Sequence, residues 1–386
     1  MSVGESDMPS AGESDPPGPG DREPGREPER EPEVTADREP ERESDREPEV
    51  TADQLSLVRR LRQPRTIISI VLPLALIVLF VRSLPGFRLD ELPDKILSAD
   101  GPMLLLAFSV FYLGFPLRGL RWTLLVRRTG FPLRVRDGTE IIFLSWLVNC
   151  LVPAKLGDIY RAYLLKINSP VSLSRTFGTV FVERILDLFA IVVLGLAAGF
   201  VSFRSGLPTE VQVVFAGGIA FVVVLAVGLL TMRNFGRRIM VALPVPRRVV
   251  EFYDRFEEGV FASVGLRAMP GLVILTGLIW ATEATRLYLV VQALGLPGVH
   301  LGISGAFFIA LSASLLTAIP ITPAGLGFVE GAVVGLLTLV YGVPQTEALA
   351  ITVVDRTISV LSIIVLGTIA YAISPKRRGA GVKLPA

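Results

Sequence analysis

The chain has 386 residues, 51% of them hydrophobic, and its 38 basic and 36 acidic residues nearly cancel to +2. Recurring long apolar runs at that composition place it among polytopic all-α membrane proteins. One cysteine (Cys150) and one histidine (His300) exclude an intramolecular disulfide and a His/Cys metal cluster, so no cofactor is expected.

The near-neutral balance hides a division. Residues 1–53 hold 18 Asp/Glu against 6 Arg, and the rest of the chain is correspondingly basic. The octet R-E-P-E-V-T-A-D occurs twice, starting at Arg30 and at Arg46. Recurrent proline prevents a continuous helix and little apolar surface is available to bury, so residues 1–54 read as an acidic disordered tail, either a solvated spacer or a docking arm. It has neither the apolar core of a signal peptide nor the basic character of a transit peptide.

A membrane domain is expected over residues 55–378, followed by a short tail, 379–386. The first apolar run, 66–81, is entered from Arg59, Arg60, Arg62 and Arg65. By the positive-inside rule these keep the N-terminus cytoplasmic. A second run, 102–117, returns to a basic cluster from Arg118 to Arg136, where Arg118 and Arg121 are expected to snorkel to lipid phosphates. The next run, 139–152, spans only about 21 Å as a helix, against roughly 30 Å of hydrocarbon. Pro153 interrupts it, and 154–166 leads to another basic loop. Both flanks read as cytoplasmic, which suits either a re-entrant pair of half-helices or a hairpin of two short spans.

Runs 176–203 and 211–232 go out and back. Residues 249–264 then space Val249, Phe252, Tyr253, Phe256, Val260 and Val264 as one helix face, either at the membrane surface or packed on a neighbour. Run 271–294 carries Glu283 and Arg286, three apart and able to pair. Run 301–319 is broken by Pro320 and Pro323, and 325–341 resumes it. The last run, 346–373, ends in Lys376, Arg377 and Arg378, which places the C-terminus in the cytoplasm.

The two broken runs resemble each other. P-A-K-L-G from Pro153 matches P-A-G-L-G from Pro323 at an offset of 170. Downstream, Glu183-Arg184 matches Asp355-Arg356, and I-V-V-L-G from Ile191 matches I-I-V-L-G from Ile363, at an offset of 172. The expected topology sets the copies in opposite orientation. Inverted repeats with broken helices are typical of transporters whose site lies near the midplane.

These motifs, together with Pro320 to Glu330, resemble the flippase-like family named for the transmembrane region of lysylphosphatidylglycerol synthase, the multiple peptide resistance factor of bacteria. The resemblance covers roughly residues 65–378. It implies movement of a charged-headgroup lipid between leaflets in the cell membrane. Other members occur beside polyprenyl-phosphate glycosylation, so a lipid-synthesising enzyme or glycosyltransferase is a possible partner. With the chain ending at Ala386, the synthase's aminoacyl-transferase domain is not expected, and lysyl-lipid synthesis is not implied.

The residues point the same way. Half-helices starting in mid-membrane aim unpaired N–H groups inward. Lys155, Arg161 and Arg184, with Asn149, Gly157, Gly325 and Gly327, would seat an anionic headgroup. Asp158, Glu183, Asp187, Glu330, Asp355, Arg356, Glu283 and Arg286 would gate it or carry a coupling charge. The bland alternative has the glycines packing helices, the charges neutralising one another and Asn149 satisfying freed backbone. No nucleophile–base arrangement, nucleotide loop or nucleic-acid motif appears, so the chain reads as a translocase rather than an enzyme. A membrane-embedded transferase or an accessory subunit is the competing reading.

Overall fold

The structure, a computed structural model, describes residues 90–152, 155–203, 209–265, 267–316 and 322–379. The acidic tail, the run 66–81, Pro153, Ala154, Pro320 and residues 380–386 lie outside the described residues. Every regular element among the described residues is helical. In order they are α1 (Leu92–Leu97), α2 (Gly101–Arg128), α3 (Val135–Leu151), α4 (Leu156–Asn168), α5 (Leu173–Ser202), α6 (Thr209–Thr231), α7 (Arg237–Ala242) and α8 (Arg247–Ser263). Then come α9 (Met269–Leu294), α10 (Ile303–Leu316), α11 (Phe328–Gly335), α12 (Gln345–Arg356) and α13 (Ser362–Ile373).

Among the described residues four helical stretches are long and apolar enough to cross a bilayer: α2, α5, α9, and α12 continued through α13. Local sequence sets their ends. Asp100 caps α2 by accepting from the Met103 N–H at 2.8 Å, and Gly295, with φ +51°, closes α9 in the left-handed conformation. Helix α2 runs eleven residues past the expected end of its apolar run and thereby carries Arg118 and Arg121 inside.

Helices α2 and α9 pack along each other, and α5 packs on α8 and α10. At the α5–α8 crossing Gly178 lies against the backbone of Phe256 to Val260, and Gly259 lies against the Arg175 carbonyl. Small residues permit such backbone approach, the usual device of membrane helix packing. Val260 is fully buried there, while Val249 and Phe252 at the start of α8 stay exposed. The expected amphipathic helix is therefore packed on a neighbour along its second half.

Both broken runs fold back on themselves. In the first, Gly157 at the start of α4 touches the Ser145 carbonyl and Asn149 on α3. The opposite ends of α3 and α4 also meet, through the C-terminus. Lys376 reaches Asp137 at 2.6 Å and Glu140 at 3.0 Å, while Asn168 donates to the Lys376 carbonyl. This first hairpin opens beside the start of α5. In the second, Gly305 near the start of α10 lies against Tyr341, at the end of the helical turn Leu336–Val340 that continues α11, and the Tyr341 hydroxyl bonds Ser202 at the far end of α5. The two hairpins thus open toward opposite ends of α5, with their tips between.

Two predictions follow from this packing. Gly178→Leu or Gly259→Leu should force α5 and α8 apart and cost on the order of 1–3 kcal/mol, read as a lower unfolding temperature in detergent. Burial alone would lower the Lys376 pKa, but its hydrogen bonds to Asp137 and Glu140 outweigh that and raise it above the ordinary 10.5. A raised lysine pKa stabilises fully below the unfolded value, and that contribution fades as pH climbs through the folded one. Protease sensitivity of the C-terminus should therefore be constant to about pH 10 and rise beyond it. In Lys376→Gln the sensitivity should already be high at neutral pH.

Candidate functional site

The hairpin tips, α2, α5, α9 and α12 enclose a cavity of about 210 Å³. Ionisable side chains line it inside a largely apolar bundle, where each isolated charge would be expensive, so the geometry turns on their pairing. On the first-hairpin side, Arg184 Nε donates to Asp158 Oδ2 at 2.8 Å, and its Nη1 reaches Asp187 Oδ2 at 3.2 Å. Arg161 Nη1 lies 2.8 Å from Glu183 Oε2. Arg121 donates at 2.7 Å to both Glu183 and Asp187, confirming that these carboxylates, four residues apart, share one face of α5.

On the other side Arg286 donates to Asp355 at 2.8 and 3.1 Å and also pairs with Glu283. Arg118 donates to Glu283 at 2.6 Å. Arg356 Nε donates to Glu330 Oε1 at 2.6 Å, and its Nη2 donates to the Ala324 carbonyl. Aromatic rings back three of the guanidiniums: Trp146 lies 4.6 Å from Arg118, Phe111 5.1 Å from Arg286 and Trp122 5.3 Å from Arg161.

The two sides rhyme in detail. Asp158–Arg184 and Glu330–Arg356 are each 26 residues apart and each tie a hairpin tip to the helix after it. Each tip also caps its own broken helix: Gly157 N–H donates to Asn149 Oδ1 at 2.8 Å, and Gly327 N–H to Glu330 Oε2 at 2.6 Å. Left-handed backbone marks both turns, at Lys155 (φ +50°), Ala324 (φ +50°), Gly325 (φ +71°) and Gly327 (φ +90°).

Of the residues expected to seat a headgroup, Lys155, Arg161, Arg184, Asn149 and Gly325 line the cavity; Gly157 and Gly327 stand behind it. Asp158, Glu183, Asp187, Glu283, Arg286, Asp355 and Arg356 line it too, while Glu330 is reached through Arg356. Arg161 and Arg184 are not free cations, since both are held by carboxylates. Gly157 takes the packing role and Asn149 the capping role that the bland reading offered them. The snorkelling expected of Arg118 and Arg121 is incorrect. Both are buried, at 5% and 1% exposure, because α2 continues beyond them. Their position three apart on one apolar helix was the available signal. Among the described residues no cluster of His, Cys, Asp and Glu could hold a metal ion.

Residues 66–367 match the family described as the lysylphosphatidylglycerol synthase TM region. The chain belongs to this family. A UPF0104 membrane protein of Methanocaldococcus jannaschii is 37% identical over 230 residues, covering 58% of this chain and 93% of that protein. Glycosyltransferase AglD of Haloferax volcanii is 29% identical over 347 residues, covering 79% of this chain but 54% of AglD. A UPF0104 membrane protein of Methanothermobacter thermautotrophicus is 28% identical over 322 residues, 78% and 92% of the two chains.

If the pairing sustains the site, removing one partner should cost more than removing both. Arg184→Ala leaves Asp158, at 8% exposure, with only the longer 3.7 Å contact to Arg161; because Arg184 is itself 35% exposed, the loss should fall below the roughly 3–5 kcal/mol of a fully buried pair. The double change Asp158→Asn with Arg184→Gln should recover most of that, as measured by thermal unfolding of the purified variants.

Proposed function

We propose that this membrane protein translocates a lipid with a charged headgroup between leaflets. The observation that carries the proposal is the ion-paired cavity, set between two hairpin tips inside an otherwise apolar bundle. A headgroup entering it exchanges water for fixed dipoles and charges, while acyl or polyprenyl chains can stay against exposed apolar faces such as those of α6. Because the hairpins open toward opposite ends of α5, we read them as inverted repeats, an arrangement suited to exposing one site to either side in turn. This reading puts the protein in the cytoplasmic membrane with both termini in the cytoplasm.

A second reading draws on the likeness to Glycosyltransferase AglD: a membrane-embedded transferase, or an accessory subunit, in glycolipid synthesis. The cavity chemistry favours transport. Glu183 and Asp187 are each held by arginine, and a carboxylate so held is a weak general base. In either case a polyprenyl-phosphate-type lipid belongs among the substrates to be tested.

In the decisive measurement, purified full-length protein in liposomes carries headgroup-labelled phospholipid or polyprenyl phosphate, and an impermeant quencher reports leaflet exchange. Exchange should exceed that of protein-free liposomes and should fall about tenfold or more in Arg121→Ala, which strips Glu183 and Asp187 of a shared partner. No exchange of any lipid by the unmodified protein would overturn the proposal.

A further inference from the structure

The charges around the cavity nearly match one for one. Six arginines there, at 118, 121, 161, 184, 286 and 356, face six carboxylates, at 158, 183, 187, 283, 330 and 355. Lys155 is the seventh cation. It lines the same cavity half-buried, and no acceptor among the described residues bonds or pairs with its ammonium. Residues 153–154 and 317–321, outside the described residues, contain no ionisable side chain.

Two further observations bear on what the lysine does. Its backbone is left-handed, a conformation costing a non-glycine residue roughly 1–2 kcal/mol, and the matching position of the second hairpin is Gly325. A strained side chain is thus kept where glycine would fit without strain. Guanidinium hydrogens are also in surplus: Arg118 Nη1 and Arg161 Nε, both on deeply buried residues, have no hydrogen-bond acceptor. One acceptor, Glu183 Oε2, also lacks a hydrogen-bond donor, so what sets the site apart is its charge: one positive charge too many.

We infer that the cavity binds a singly charged phosphodiester, with its oxyanion against the Lys155 ammonium. A ligand of charge −1 makes the site neutral, which a low-dielectric interior favours. A dianionic monoester leaves an excess negative charge, and a zwitterion leaves the lysine uncompensated. The inference rests on the translocase reading only in taking the bound molecule to be a lipid. Two sources share the chemistry: a phosphatidylglycerol-type glycerolipid and a polyprenyl-phosphosugar.

Binding, rather than transport, tests this. Full-length protein in nanodiscs of neutral lipid is titrated with fluorescent phosphatidylglycerol, a polyprenyl-phosphosugar, a polyprenyl monophosphate and phosphatidylcholine. At least one diester should bind about tenfold or more tighter than both the monophosphate and phosphatidylcholine, and the tail that binds identifies the source. Lys155→Gly, which suits the left-handed backbone, should abolish that preference while ligand-free unfolding shows the variant folded; Lys155→Arg should keep it. Equal binding of all four lipids, tighter binding of the monophosphate, or an unchanged preference in Lys155→Gly would each overturn the inference. Charge-selective binding without leaflet exchange would overturn the translocase reading alone. Exchange indifferent to headgroup charge, and to Lys155→Gly, would overturn this inference alone.

Discussion

A charge in hydrocarbon must be compensated, and the interior of this protein is arranged around that requirement. Arg121 on α2 bridges two carboxylates of α5, and Arg286 on α9 bridges Glu283 and Asp355. Most of these carboxylates are shared between two arginines, so replacing one member unbalances the whole network and each link holds its neighbours in place. The helix contacts follow the same lines: α2 meets α9 through Arg118–Glu283, and α9 meets α12 through Arg286–Asp355. Apolar packing supplies most of the burial, whereas the ion pairs fix which faces meet.

The hairpin breaks were legible in the sequence because proline and glycine interrupt apolar runs, the first of them too short to span a bilayer. The recurrence of the motifs led to the pairing of the tips, and Glu283 with Arg286 was readable from helical spacing alone. The partners across the bundle were not. That Asp158 would hold Arg184, or Arg286 reach Asp355 69 residues on, depends on which helix faces which, and periodicity does not specify that. Arg118 and Arg121 were misread for a related reason. Ending the second run at Leu117 put them at the interface, when burial of their charges by α5 and α9 allowed the helix to continue inward.

The charge imbalance at Lys155 joins the two levels. Sequence comparison of the hairpins sets lysine against glycine, and the structure shows every other cation of the cavity already held. A difference of one residue between similar turns therefore sets the net charge of the chamber they share.

The two tips also differ in how their fastenings are wired. At the first, the cap on the broken helix is Asn149 and the clamp to α5 is Asp158, two side chains that can let go independently. At the second, Glu330 performs both tasks, one oxygen on the Gly327 N–H and the other on Arg356. Pulling Arg356 away removes the balancing charge from the same carboxylate that caps the turn. Two separate side chains fasten the first tip, whereas one carboxylate holds both fastenings of the second, so the two tips are held with different cooperativity.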